Sequence, residues 1–229
     1  MEEKPVKVWF VTFLLTIVAG YCDSVTFVAA DNIFSAHVTG NFIVFAYQLV
    51  KGADGDAWIK LATFPVFMIS VMAGGWIAAK VSKNHFLLLC EGIILIIAGG
   101  IAYSLGYIEN GVISWPMYLV TMIIVFAMGL QNAFGKLFAK ETFGPTTMMT
   151  GNVTQFALDI MAFCNSGFSN PEFFSGVKKG LITLGGFLIG CVLGALIGKL
   201  FGLIAVLIPG VVMVICYYST KPSVDPLVK

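Results

Sequence analysis

The sequence contains no arginine, and only 11% of its 229 residues are charged. Soluble domains carry about a quarter charged residues, so a chain that is 59% hydrophobic lacks the polar surface it would need in water. Thirteen lysines balance twelve acidic residues, which leaves no basic surface for a nucleic-acid backbone. The composition excludes cytosolic enzymes and nucleic-acid binders. It predicts a protein that crosses a lipid bilayer several times.

The chain also lacks the residue patterns of catalysis and metal binding. Its five cysteines are odd in number and lie in or beside apolar stretches, so we interpret them as packing residues and not as a disulfide framework. Only two histidines are present, and no zinc-protease, serine-hydrolase or phosphate-loop signature occurs. We therefore expect no catalytic residue, no metal and no cofactor, and a protein that is not an enzyme.

What the chain has in abundance is long apolar runs. A helix needs about 20 apolar residues to cross a hydrocarbon core of about 30 Å. Six stretches meet this requirement: 8–28, 61–81, 86–107, 115–133, 180–200 and 203–218. Two more, 34–50 and 145–163, open with polar residues and become apolar towards their C-terminal ends. We predict an all-α polytopic membrane protein with about six full spans and two re-entrant or broken helices.

The two polar openings are copies of each other. Thr39-Gly40-Asn41 recurs 111 residues later as Thr150-Gly151-Asn152. Upstream, the segment AGYCD ends at Asp23 and matches MGLQN, which ends at Asn132, 109 residues later. Downstream, four positions between 67 and 77 recur 120 residues later. An offset that grows along the chain is typical of a duplication followed by loop insertions.

The distribution of lysines predicts how the two copies are oriented. Positive charge is enriched in cytoplasmic loops. If the N-terminus is cytoplasmic and every stretch crosses fully, eight lysines lie on the cytoplasmic side and five on the opposite side. If the two polar-opening stretches instead enter and leave on one side, ten lysines are cytoplasmic and three are not. The second arrangement follows the rule better. It makes residues 1–107 and 108–229 inverted membrane repeats within one integral-membrane domain, with both chain termini in the cytoplasm.

Inverted repeats with discontinuous helices are a common architecture of transporters, with the binding site near the bilayer midplane. Helix N-termini meeting there carry partial positive charge and free N–H groups, which suit an anion or a polar neutral solute. We therefore expect a transporter or channel for a small polar solute, with an anion favoured. The predicted binding residues are Thr39, Gly40, Asn41, Thr150, Gly151, Asn152, Asp23 and Asn132.

Three ionisable residues are candidates for coupling or gating. Asp23 lies inside the first span and Glu91 about six residues into the third, where a charged group is costly and often functional. His37 precedes the first TGN motif closely. Each also has a structural interpretation. Asp23 could cap a helix or bond a neighbouring backbone, Glu91 could reach the interface or pair with a lysine, and His37 could be a loop residue bonded to backbone.

Several segments together carry a resemblance to a known family. The first helix ends in GYCDS, and SAHVTGN, GLQNA and TTMMTGN follow along the chain. These segments resemble the YoaK-like family of bacterial inner-membrane proteins, over nearly the whole chain. The resemblance implies a small polytopic protein of the bacterial inner membrane with about six spans. It implies no substrate, cofactor or catalytic residue.

Two other functions stay open from the sequence. The repeats could serve packing alone, in a membrane assembly or sensory protein without flux, and an intramembrane enzyme is a third hypothesis. The expected partners are the lipid bilayer and a small molecule or ion, with no nucleic acid. Glycines recur at every fourth residue from 186 to 202, and this face packs either inside the protomer or against a second copy of the chain.

Overall fold

The computed structural model describes residues 8–52, 57–81, 85–105 and 115–220. These residues form helices and short connections, with no strand among them, so the all-α prediction is confirmed. The helices are α1 (Val8–Ala29), α2 (Gly40–Val50), α3 (Trp58–Lys80), α4 (Phe86–Ser104), α5 (Trp115–Leu137), α6 (Met149–Asn165), α7 (Pro171–Phe201) and α8 (Leu207–Thr220). A 3₁₀ turn, Gly202–Val206, joins α7 to α8.

Five helical stretches are long and apolar enough to cross a membrane. They are α1, α3, α4, α5 and the stretch Pro171–Ser219, which includes α7 and most of α8. Large apolar side chains on the outside of α7, such as Leu188 and Leu196, are exposed, as expected for a surface that faces lipid. These features indicate a multi-pass membrane protein. The exact number of crossings and the repeats stay predictions.

Some helix boundaries differ from those expected from hydropathy. α7 begins at Pro171, nine residues before the expected Gly180, because the Asn170 side chain accepts a hydrogen bond from the Glu172 N–H and Pro171 occupies the first turn. Lys178 and Lys179, further along α7, lower the mean hydropathy of its first ten residues, so a hydropathy window places the start of the span later. α8 begins at Leu207 and not Leu203, because Gly202 has a φ of 59° and the chain continues in 3₁₀ conformation.

The longest helix contact joins α1 and α7. Cβ atoms added at Gly190 and Gly194 of α7 would overlap the backbone of Ile17 and Tyr21, respectively. The contacts advance together along both helices, so α1 and α7 run in the same direction. The glycine run therefore serves close packing inside the protomer along this helix face.

α3 and α5 form a second parallel pair. Ser70 of α3 donates a hydrogen bond to the carbonyl of Phe126, and a Cβ at Gly74 would lie 2.7 Å from Ala133. α4 and α8 run antiparallel and meet where Gly92 and Gly210 face each other's carbonyl groups. Between these pairs lies one apolar core, to which α1, α4, α5 and α8 all contribute.

Candidate functional site

The chain reverses direction after α1 and returns along it. Asp31 and Asn32 have positive φ angles of 52° and 59°, which turn the backbone. The N–H groups of Ala36 and His37 then donate to Asp23 Oδ1 at 2.6 and 3.3 Å. Asp23 lies six residues before the end of α1, about 9 Å along the helix. The loop therefore returns well inside the helix bundle before α2 begins.

Asp23 and His37 form a pair at the inner end of this loop. His37 Nδ1 and Asp23 Oδ2 are 2.5 Å apart, with 33% of the imidazole side chain and 5% of the carboxylate side chain exposed. Since Oδ1 accepts from backbone and Oδ2 from the imidazole, the carboxylate fixes both the loop and the orientation of the ring. From the sequence, Asp23 and His37 were separate candidates for coupling or gating, and their contact was not predicted.

Asn41 closes the same loop. Its Nδ2 donates to the Phe34 carbonyl at 2.8 Å and to Thr63 Oγ1 at 2.9 Å, while its Oδ1 accepts from the Phe34 N–H at 2.8 Å. The side chain is fully buried. Asn41 is thus committed to the protein's own backbone and to α3, and the structure leaves little of its amide for a solute.

Asn152 repeats part of this arrangement in the second half. Its Nδ2 donates to the carbonyls of Pro145 and Met148 at 2.8 and 3.1 Å. Pro145 follows Phe34 by the same 111 residues that separate the two asparagines, so the amide-to-carbonyl bond is common to both. A proline has no N–H, and Asn152 Oδ1 therefore lacks the bond that Asn41 Oδ1 receives from Phe34.

Two cavities lie on either side of His37. The first, of about 340 Å³, lies between α1, the loop and α7, and is lined by Asp23, Ser24, Phe27, Val28, Phe34, His37, Phe187, Cys191 and Ala195. The second, of about 410 Å³, lies between the two polar loops, α3 and α5, and is lined by Ala36, His37, Val38, Thr39, Phe64, Phe67, Met68, Val71, Met72, Asn132, Thr147 and Met148. The imidazole of His37 is common to both.

The polar groups of the second cavity are neutral, apart from the shared imidazole. Asn132 contributes an amide and Thr39 and Thr147 contribute hydroxyls. Thr147 is 1% exposed, and its Oγ1 has no hydrogen-bond partner. Leaving a buried hydroxyl without a hydrogen bond costs about 1–3 kcal/mol of stability. A polar solute or a water molecule that reached Thr147 could form that bond. Sequence reasoning missed Thr147, although it lies within the second polar opening.

The structure brings only part of the predicted site together. Asp23 lines the first cavity, Thr39 and Asn132 line the second, and His37 lines both. The other predicted binding residues line neither cavity: Gly40, Asn41, Thr150, Gly151 and Asn152. The N–H groups of Gly40 and Asn41 already donate to the carbonyls of His37 and Val38, which reduces the donors that α2 could offer an anion.

Glu91 lies apart from both cavities, in the core. It is 0% exposed, and neither carboxyl oxygen has a hydrogen-bond partner. Among the described residues no lysine forms an ion pair with Glu91, so the lysine-paired interpretation finds no support there. An ionised carboxylate cannot be accommodated there without a partner, so Glu91 is held as the neutral acid in this conformation.

Comparison with known proteins assigns a family without a known activity. A family model described as a protein of unknown function (DUF1275) matches residues 11–219. The chain belongs to this family. No curated protein and no solved structure matches it. The narrower YoaK-like name therefore stays a resemblance, and the function has to be argued from the site.

Proposed function

We propose that this protein is a transporter or channel that moves a small polar solute through the two cavities that meet at His37. The observation that carries the proposal is the second cavity, which Asn132 and His37 line together with Thr147, a residue whose buried hydroxyl has no hydrogen-bond partner among the described residues. A solute or water that enters the cavity would satisfy it.

Helix packing supports the duplication on which this function rests. Gly20 of α1 faces the Phe187 carbonyl of α7, and Gly129 of α5 faces the Phe67 carbonyl of α3. The glycines are separated by 109 residues and the phenylalanines by 120, which are the offsets of the sequence repeat. The first helix of each half therefore packs on the third helix of the other half by equivalent contacts.

The ends of the first polar loop support re-entry from one side. Asp31, just after α1, forms an ion pair with Lys60 at the start of α3. Gln48, near the end of α2, donates to the same carboxylate at 3.3 Å. The end of α1, the end of α2 and the start of α3 thus lie together. Residues 30–50 enter the bundle and leave it at the same end.

The second polar loop begins at the opposite end of the bundle, beside the start of α1. The Phe143 N–H donates to Thr12 Oγ1, near the start of α1, at 2.9 Å. α6 and α7 run antiparallel from there, since Phe163 stacks on Phe174 and Gly180 lies against Phe156. Two re-entrant segments from opposite ends, with six crossings, constitute the inverted repeat. Lys4, Lys7, Lys221 and Lys229, which support cytoplasmic termini at a bacterial inner membrane, lie outside the described residues.

The lining of the cavities changes the expected solute. No lysine is among the lining residues of either cavity, and Asp23 lines the first. A protonated His37 is balanced by the Asp23 carboxylate and leaves no net positive charge to attract an anion, and the first N–H groups of α2 are occupied. We therefore propose a neutral or cationic solute in place of the anion that the sequence favoured.

Cysteine labelling tests the topology. On a cysteine-free background, Lys140→Cys and Lys178→Cys should react with an impermeant thiol reagent from the cytoplasmic side, and Lys51→Cys from the opposite side. If Lys140→Cys and Lys178→Cys label from opposite sides, the second polar stretch crosses fully and the inverted repeat is wrong.

Flux and water access test transport itself. Proteoliposomes that contain the protein should accumulate or equilibrate at least one member of a panel of small neutral and cationic solutes faster than empty liposomes. Thr147→Cys should react with a small hydrophilic thiol reagent. Thr121→Cys is the matched control, because Thr121 is 0% exposed and bonds the Met117 carbonyl within α5. No flux together with an unreactive position 147 would favour the non-transporting assembly or sensory protein.

A further inference from the structure

The first cavity is lined by a cluster of aromatic rings and by the buried carboxylate of Asp23. The ring centroids of Phe27 and Phe34 are 4.7 Å apart, those of Phe34 and His37 6.4 Å, and those of His37 and Phe187 5.5 Å. All four rings line the cavity, together with Asp23. Aromatic faces attract cations, and a desolvated cation gains more from them than an exposed one. A carboxylate beside several such faces is the chemistry that recognises an ammonium group.

The charge of this cavity is set by one pair. Asp23 is 3% exposed, and its Oδ2 is held by His37 Nδ1 alone. Among the described residues, the other titratable groups near the pair are the thiols of Cys191 on α7 and Cys22 on α1, with Glu91 of α4 beyond Cys22. The thiols and the neutral acid carry no positive charge. A proton on the imidazole is therefore the cation that balances Asp23 when the cavity is empty.

We propose that the first cavity binds a small organic monocation of the ammonium type, which displaces the proton shared by Asp23 and His37. This inference rests on the transport function proposed above and names its substrate class. Before binding, imidazolium and carboxylate sum to zero. When the cation enters, it pairs with Asp23, His37 releases one proton to solvent, and the sum is again zero. The charge balance makes the cation and the proton compete for one site.

The second cavity supplies the contrast within the same molecule. The residue that corresponds to Asp23 there is Asn132, and the one that corresponds to His37 is Met148. Both line the second cavity. An amide and a thioether offer polar or polarisable contacts but no balancing charge, so this cavity can pass a cation but holds it weakly. Strong binding is expected in the first cavity alone.

Calorimetric titration of the full-length protein in detergent tests the inference. The probe is choline, and its uncharged isostere 3,3-dimethylbutan-1-ol is the matched control ligand. Choline should bind and the isostere should not. Binding should release one proton, measured by repeating the titration in buffers of different ionisation enthalpy. Choline affinity should fall as pH is lowered through the titration of His37, by up to about tenfold per pH unit.

Four variants locate the site. Asp23→Asn should abolish choline binding, whereas Asp159→Asn, on α6 and bonded to Gln155, should not change it. Phe187→Leu should weaken binding about two- to thirtyfold, the range of one cation–π contact. Phe174→Leu, on the same helix outside both cavities, is its control. If Asp23→Asn does not fold, Phe187→Leu and the proton release still test the proposal.

The outcomes separate this inference from the transport proposal. Equal binding of choline and its isostere, binding without proton release, or full binding by Asp23→Asn would each overturn the cation site. Flux of neutral solutes without choline binding would support the transport proposal and contradict the cation site. If no solute is transported and Thr147→Cys does not react with the thiol reagent, the transport proposal is wrong.

Discussion

The two TGN segments share a motif, but the asparagine of the first is more deeply buried than that of the second. Asn41 is fully buried and makes three hydrogen bonds, to both backbone groups of Phe34 and to Thr63. Asn152 is only partly buried and donates to two carbonyls. The bond common to both runs from the asparagine amide to a carbonyl seven residues earlier. In both segments the asparagine of the motif therefore closes the turn before a helix.

The same comparison shows where the two halves have diverged. Asp23 and His37 form a charged or chargeable pair in the first half, while Asn132 and Met148 occupy the corresponding positions in the second. The helix contacts are alike in the two halves, whereas the charged residues are not. Under the transport function proposed above, the Asp23–His37 pair of the first cavity would therefore select the solute.

The largest expected effect comes from removing the two asparagines. Asn41→Leu leaves the Phe34 N–H, the Phe34 carbonyl and Thr63 without their partner, so we expect a loss of about 2–4 kcal/mol in the free energy of unfolding. Asn152→Leu should lose about 1 kcal/mol, because its amide is partly exposed and makes fewer bonds. Denaturant or thermal unfolding in one detergent measures both. Equal losses would contradict the structural contrast between the two segments.

A reciprocal exchange tests the two parallel helix pairs. Gly190 and Ser70 are equivalent positions, 120 residues apart. A Cβ at Gly190 would overlap the Ile17 backbone, so Gly190→Ser should cost about 1–3 kcal/mol. Ser70→Gly should cost about 1 kcal/mol, from the hydrogen bond to Phe126 and from helix propensity. Unfolding measurements on both variants give the comparison.

Gly185 is the control for the glycine exchange. It lies on α7, and a Cβ there meets nothing within 4 Å. Gly185→Ala should therefore leave stability unchanged or raise it by up to about 1 kcal/mol through helix propensity. If Gly190→Ser proves as harmless as Gly185→Ala, then α1 and α7 are farther apart than the structure has them.

The smallest expected effect concerns Pro145. Pro145→Ala restores an N–H that Asn152 Oδ1 could accept, as Asn41 Oδ1 accepts from Phe34. The new bond and the extra freedom of the unfolded chain oppose each other, so we expect a net change within about 1 kcal/mol. The coupling is measured with the Asn152→Leu double variant. A gain that persists without Asn152 would show that the bond does not form.

The sequence by itself determined the all-helical class, the apolar exterior and the position at which α2 begins. Long apolar runs with few charges can satisfy their backbone in lipid only as helices, and the polar opening before Gly40 predicted a break that the structure has. The matching TGN, AGYCD and glycine positions, at offsets that grow from 109 to 120 residues along the chain, also predicted a duplication, because local sequence carries that information without any long-range contact.

Only the tertiary structure decided what the polar residues touch. The contact between Asp23 and His37 requires the chain to reverse at Asp31 and Asn32 through positive φ angles, and no periodicity encodes that reversal. Asn41 was predicted to bind a solute, yet it faces Phe34 and Thr63, because an amide satisfies whichever backbone groups the fold leaves unpaired nearby. The cavities themselves arise where helices of opposite halves fail to fill space, which depends on packing between residues 60 or more positions apart in the sequence.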